Sequence, residues 1–152
     1  MFQLFVAGEP RPQGSKKAFS RGAHIVLVEA NKDLPAWRAT MKRMFELKMM
    51  ELDSQFVTAV SVSLQFWLTR PKSVTRQYAT GTYDIDKLTR GVLDSLESAG
   101  VIKNDNLVVD LTVRKTYADH HDSGVLVTVI PFDNDSITAG VSELDRKRRG
   151  YV

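Results

Sequence analysis

Apolar and polar positions alternate most regularly over residues 57–68, where Val57, Ala59 or Val60, Val62, Leu64, Phe66 and Leu68 recur with the period of a half-buried strand. The period then changes. Ile85, Leu88, Val92, Leu96 and Ala99 fall at steps of three and four, which predicts a helix over about 84–98 with one continuous apolar face, ended by Gly100. An earlier helix is predicted over about 34–52, with Asp33 as its cap and Pro35 in its first turn. Trp37, Met41, Met44, Phe45 and then Leu47 or Lys48 recur there at helical spacing, and the methionines and aromatics read as core.

Runs of aromatic and β-branched residues predict shorter strands at 2–7, 24–28, 107–117 and 125–132, the last two joined as a hairpin by the polar turn 118–124. Residues 9–22, with Pro10, Pro12 and Gly14, read as an extended basic loop, and residues 70–81 as a second polar loop. The order strand, strand, helix, strand, helix, strand, strand implies an α+β fold, a mixed sheet of about four to five strands with two main helices packed on one face. One domain is expected over 1–132. Residues 133–152 show charges and glycines without periodicity and are expected to form a basic, flexible tail or to dock on a partner.

Composition narrows the chemistry. With 152 residues, 43% hydrophobic and 26% charged, the chain suits one soluble globular domain. No apolar stretch reaches membrane-spanning length and the amino terminus lacks signal-peptide character, so a cytoplasmic protein is expected. The absence of cysteine removes disulfides and thiolate sites and leaves oxygen or histidine ligands for any metal. The formal charge is only +3, yet basic side chains cluster: Arg11, Lys16, Lys17 and Arg21 in the first loop, and Arg70, Lys72 and Arg76 in the second. Both loops are candidates for contacting a DNA backbone.

The acidic residues supply the sharper clue. Asp84 alone reads as a helix cap, Asp86 alone as a favourable charge at the positive end of the helix, and Asp105 alone as a turn residue. Together they read differently. Asp84 and Asp86 are about 3 Å apart along a helix axis and can serve one site at its mouth, and Asp105 joins them if the strand beginning near Leu107 lies alongside. Converging carboxylates call for a cation, and carboxylate oxygens favour Mg2+, with Mn2+ as a substitute. Asp86, Arg90 and Asp94, at steps of four, share the polar side of that helix. His120 and His121, between Asp119 and Asp122, form a lesser candidate that reads as an exposed turn.

Three stretches, Asp84-Ile85-Asp86-Lys87-Leu88-Thr89-Arg90, Asp94-Ser95-Leu96 and Asn104-Asp105-Asn106-Leu107-Val108-Val109-Asp110, resemble the signature of the RusA family of crossover-junction endodeoxyribonucleases. The early Gly8-Glu9-Pro10-Arg11-Pro12 run is similar to that family's opening. The resemblance implies a dimeric enzyme in which Asp84, Asp86 and Asp105 bind Mg2+ and paired nicks resolve a four-way DNA junction. Three positions depart from the pattern: Lys87 stands for the family asparagine, Arg90 for its lysine, and Asn104 for the first aspartate of the late pair. Arg90 keeps the charge but exchanges a compact ammonium for a planar fork, which suits phosphate stabilisation better than proton transfer. Lys87 is the alternative helper. The rival readings are a branched-DNA-binding protein whose catalysis these substitutions have weakened, and a less selective branched-DNA nuclease.

Overall fold

A computed structural model describes residues 1–14, 17–28, 31–81 and 83–133. Its elements run β1 (Phe2–Ala7), β2 (Lys17–Arg21), β3 (His24–Val28), α1 (Leu34–Met49), β4 (Val60–Leu68), α2 (Ile85–Ser98), a 3-10 turn (Asp105–Leu107), β5 (Val108–Tyr117) and β6 (Gly124–Pro131). Four strands form one mixed sheet in the order β1-β6-β4-β5, while β2 and β3 form a separate two-stranded sheet. The α+β expectation holds, with both helices on one face of the larger sheet.

The alternating strand β4 became the sheet's centre for a physical reason. Its residues Val60, Val62, Leu64, Phe66 and Leu68 all point into the core, and a strand this apolar on one face is best satisfied with neighbours on both edges. It pairs in parallel with β5 and antiparallel with β6. The expected hairpin of the last two strands is therefore incorrect: β4 lies between them, and the connection crosses its end, where the Ala118 N–H donates to the Leu68 carbonyl at 2.8 Å.

The second correction concerns residues 9–22. Residues 9–14 are irregular, but 17–21 is β2, paired with β3 across the two-residue turn Gly22-Ala23. Gly22, at φ +63°, supplies the left-handed backbone such a tight turn needs. Smaller differences lie at element ends: α1 stops at Met49, β4 begins at Val60, and Asp84 stays outside α2 as its extended N-cap.

The core fills one side of the sheet. Phe2 and Val6 of β1 and Val125, Val127 and Val129 of β6 meet Trp37, Met41 and Phe45 of α1 and Leu88, Val92 and Leu96 of α2. Phe2 and Phe45 touch edge to face, with centroids 5.7 Å apart. Of the predicted stripes, Met44 and Leu47 of α1 remain partly exposed, and so does Ile85 at the start of α2. Gly100, at φ +73°, terminates α2: its N–H reaches the Glu97 carbonyl and the Val101 N–H reaches that of Leu96. No described helix is long and apolar enough to cross a membrane.

Candidate active site

Helix α2 lies along the edge strand β5, and two hydrogen bonds fix their relative direction. The Asp105 N–H, just ahead of β5, donates to Glu97 Oε2 near the end of α2 at 3.1 Å. Lys115 Nζ, near the end of β5, donates to the Tyr83 carbonyl just before α2 at 2.7 Å. The two elements therefore run antiparallel. A cavity of about 510 Å³ follows their junction, lined by Ile85, Asp86, Thr89, Arg90, Leu93, Asp94, Asp105, Leu111 and Val113.

The helical period explains that lining. With Leu88, Val92 and Leu96 buried, the adjoining row Asp86, Arg90 and Asp94 must face the groove. Ile85 and Leu111, 39% and 43% exposed, give the groove an apolar floor that water still reaches. The Thr89 hydroxyl, also on the wall, donates to the Ile85 carbonyl at 2.7 Å, so it is already satisfied.

Asp86 and Asp105 thus share one cavity with Arg90. All three are exposed, and none makes a side-chain hydrogen bond or ion pair among the described residues. Asp84 is not part of the lining. It occupies the N-cap position with extended backbone but makes no capping bond, and its Oδ2 instead meets Lys87 Nζ at 3.0 Å. Nor does one chain gather the predicted trio. About 16 Å of helix axis separates Asp86 from Glu97, the residue beside Asp105, and among the described residues no three metal-ligating side chains converge.

The first loop closes over α2 through residues to which no sequence motif pointed. Gln13 donates its backbone N–H to the Lys87 carbonyl at 2.9 Å and its side-chain amide to Asp94 Oδ2 at 2.5 Å. Arg38 of α1 stands 4.0 Å from the same carboxylate oxygen. The four-residue spacing of Asp86, Arg90 and Asp94 was the one sequence signal for this face. Nothing in the sequence marked Gln13, Leu111, Val113 or Lys115.

The basic side chains divide by their engagement. Arg11 donates to the Tyr83 hydroxyl at 2.9 Å and lies 3.8 Å from Asp33, so it braces the fold as well as charging the loop. Arg70 is fully occupied: Nε and Nη2 grip the two oxygens of Asp119 at 2.7 and 2.8 Å, Nη1 reaches the Arg76 carbonyl, and the guanidinium lies 4.2 Å over the Tyr117 ring. That hydrogen-bonded pairing raises the Arg70 pKa and lowers that of Asp119. Arg70 thereby shapes the second loop, on which Lys72 and Arg76 are exposed. Lys16 lies outside the described residues, and Lys17 and Arg21 are described as backbone of β2 alone. Residues 134–152, nearly all of the expected tail, also lie outside them.

The histidine pair sits elsewhere. His121 stacks on Trp67 with centroids 4.0 Å apart and meets Phe5 edge to face, on a wide hollow it shares with Asp119, His120 and Asp122.

Comparison with known proteins points to one family. The family model described as Endodeoxyribonuclease RusA matches residues 7–130. Over 52 residues the chain is 40% identical to a protein of Aquifex aeolicus (strain VF5) named Crossover junction endodeoxyribonuclease RusA; the match covers 34% of this chain and 40% of that protein.

Proposed function

We propose, of a chain that belongs to the RusA endodeoxyribonuclease family, that it hydrolyses DNA phosphodiesters at four-way junctions by paired symmetric nicks. The observation that carries this reading is the groove along α2 and β5, which presents Asp86 and Arg90 near the start of the helix and Asp105 beside its end, all three without a side-chain hydrogen bond or ion pair among the described residues. A groove with acidic residues beside an arginine fits a phosphate that meets a cation on one side and a guanidinium on the other.

The donor set suits a hard divalent ion. Asp84 and Asp86 offer carboxylate oxygens at the mouth of α2, and the Asp84 carboxylate is not spent on capping, which matches the oxygen preference of Mg2+ or Mn2+. Asp84 and Asp86 would hold the cation, which would supply an activated water and neutralise charge on the scissile phosphate. Arg90 contributes a planar guanidinium fork whose paired N–H donors match phosphate oxygens, so its role there is charge stabilisation. Lys87 moderates the charge of Asp84, its ion-pair partner.

Asp105 enters through a second copy of the chain. Since Asp105 lies beside the opposite end of α2 from Asp86 within one protomer, an isologous pairing that sets two α2 helices antiparallel would bring Asp105 of one copy to Asp86 of the other. The same pairing covers Ile85 and Leu111, otherwise exposed in the groove. Two equivalent composite sites suit two symmetric strands of a junction, and a cytoplasmic setting follows from that substrate.

Incubation of the pure protein with labelled four-way junction and linear duplex, in Mg2+ and in EDTA, tests the activity. Symmetric, metal-dependent nicks confined to the junction are expected; tight binding without cutting under any divalent ion would sink the proposal. The composite site has its own test. Asp86→Asn and Asp105→Asn should each be inactive, yet mixing them with subunit exchange should restore about a quarter of wild-type activity, because half the dimers then hold one intact site of two. Continued inactivity of a verified heterodimer would place both carboxylates in one protomer.

A further inference from the structure

Tyr83 is the one non-glycine residue among those described whose backbone is left-handed, with φ +54°. In that conformation an L-residue crowds its Cβ against the following carbonyl, so it persists only where its surroundings over-determine it. Two basic side chains do so. Arg11 donates to the Tyr83 hydroxyl at 2.9 Å from the first loop, and Lys115 donates to the Tyr83 carbonyl at 2.7 Å from β5.

The carbonyl bond has the greater consequence. The Tyr83 oxygen and the Asp84 nitrogen and Cα belong to one planar peptide unit, so fixing that oxygen fixes the direction from which Asp84 leaves the turn. Asp84 makes no capping bond, and its carboxylate has only the exposed ion pair with Lys87 at 3.0 Å among the described residues. Lys115 occupies the same face of β5 as Leu111, Val113 and Tyr117 and is only partly exposed there. An ammonium in such a row needs strong acceptors to offset its loss of water, and a backbone carbonyl provides one.

We propose that Lys115 is a positioning residue of the nuclease site, which acts through the Tyr83-Asp84 peptide to aim the Asp84 carboxylate at the divalent cation. The inference rests on the reading of Asp84 as a cation ligand. It adds a residue from outside the acidic motif, on a different element, and makes β5 the template against which the mouth of α2 is set.

Binding of Mn2+ to the full-length protein, followed by electron paramagnetic resonance without DNA, separates the possibilities. Lys115→Met should weaken Mn2+ binding roughly tenfold, the scale typical of groups that orient a metal ligand. Its melting temperature should stay near wild type, and amide exchange over residues 84–87 should quicken. Lys115→Arg, which retains donors that can reach the carbonyl, should recover most of the affinity. If Lys115→Met fails to fold, Lys115→Gln, polar but too short to reach, takes its place with the same expectation. Asp84→Asn is the control. Should it bind Mn2+ like wild type, Asp84 is no ligand and the underlying reading fails. Should it lose Mn2+ while Lys115→Met binds normally, the positioning role alone is overturned. Arginine and methionine variants equally weak would overturn it too, because the carbonyl bond would then not be the cause.

Discussion

The side-chain amide of Gln13 donates to Asp94 Oδ2 at 2.5 Å, joining the first loop to the middle of α2 across 81 residues of sequence. The bond gives Asp94 a defined place beside the cavity without making it a ligand. A part-buried hydrogen bond to a charged group contributes about 1 to 2 kcal/mol. Asp94→Ala should therefore lower unfolding free energy by about that amount in urea melts. A double-mutant cycle with Gln13→Ala should return a coupling of about 1 kcal/mol. Additive losses would show the two side chains to act independently.

Lys72 and Arg76 should act on DNA as phosphate contacts. Both are exposed on the loop that Arg70 braces. Replacing either by Ala should weaken junction binding evenly across sequences and reduce the slope of log affinity against log salt by about 1. Fluorescence anisotropy over a salt series provides the check. A variant with unchanged slope would remove that residue from the DNA surface.

Acid should weaken the Arg70–Asp119 clamp before base does. The Asp119 pKa is lowered by its hydrogen bonds from Arg70, so the stabilisation is complete above the ordinary carboxylate pKa and disappears as pH falls through the folded value. Arg70 is shifted upward from an already high value, so its part would be lost only in strong alkali. The stability difference between wild type and Asp119→Asn should thus be level through neutral pH and shrink below about pH 4. High salt should reduce it as well, since both side chains are partly exposed. Denaturant titrations at several pH values measure this directly, and a difference that grows toward acid would contradict the assignment.

Gly124 should tolerate no side chain. A Cβ there would collide with the Val6 carbonyl and stand 2.6 Å from the Phe5 ring, and the backbone is at φ +157°. Because the obstruction is sheet backbone in the β1-β6 pairing, it cannot move aside as a flexible side chain would. Gly124→Ala is expected to cost about 2 to 3 kcal/mol, read as a fall of roughly 5 to 10 °C in thermal unfolding.

The sequence by itself determined whatever depends on local period and local chemistry. The buried faces of α1 and α2, the alternation of β4, the end of α2 at Gly100 and the row Asp86, Arg90, Asp94 all follow from side chains placed by repeats of two or about four residues. The family signature was legible for the same reason, since its residues cluster along one helix and the turn after it.

Only the tertiary structure decided which strand lies beside which, and much of the site depends on that. Two strands separated by a short polar turn satisfy the local rules for a hairpin equally well whether or not a third strand lies between them. Burial of β4 on both edges settled the matter and left β5 at the rim. Because β5 then runs antiparallel to α2, Asp105 stands at the far end of the helix from Asp84 and Asp86, while Lys115 arrives beside Tyr83. Proximity along the chain was a guide to which residues belong to the acidic motif. Their meeting in space depends on non-local pairing, which no local period encodes.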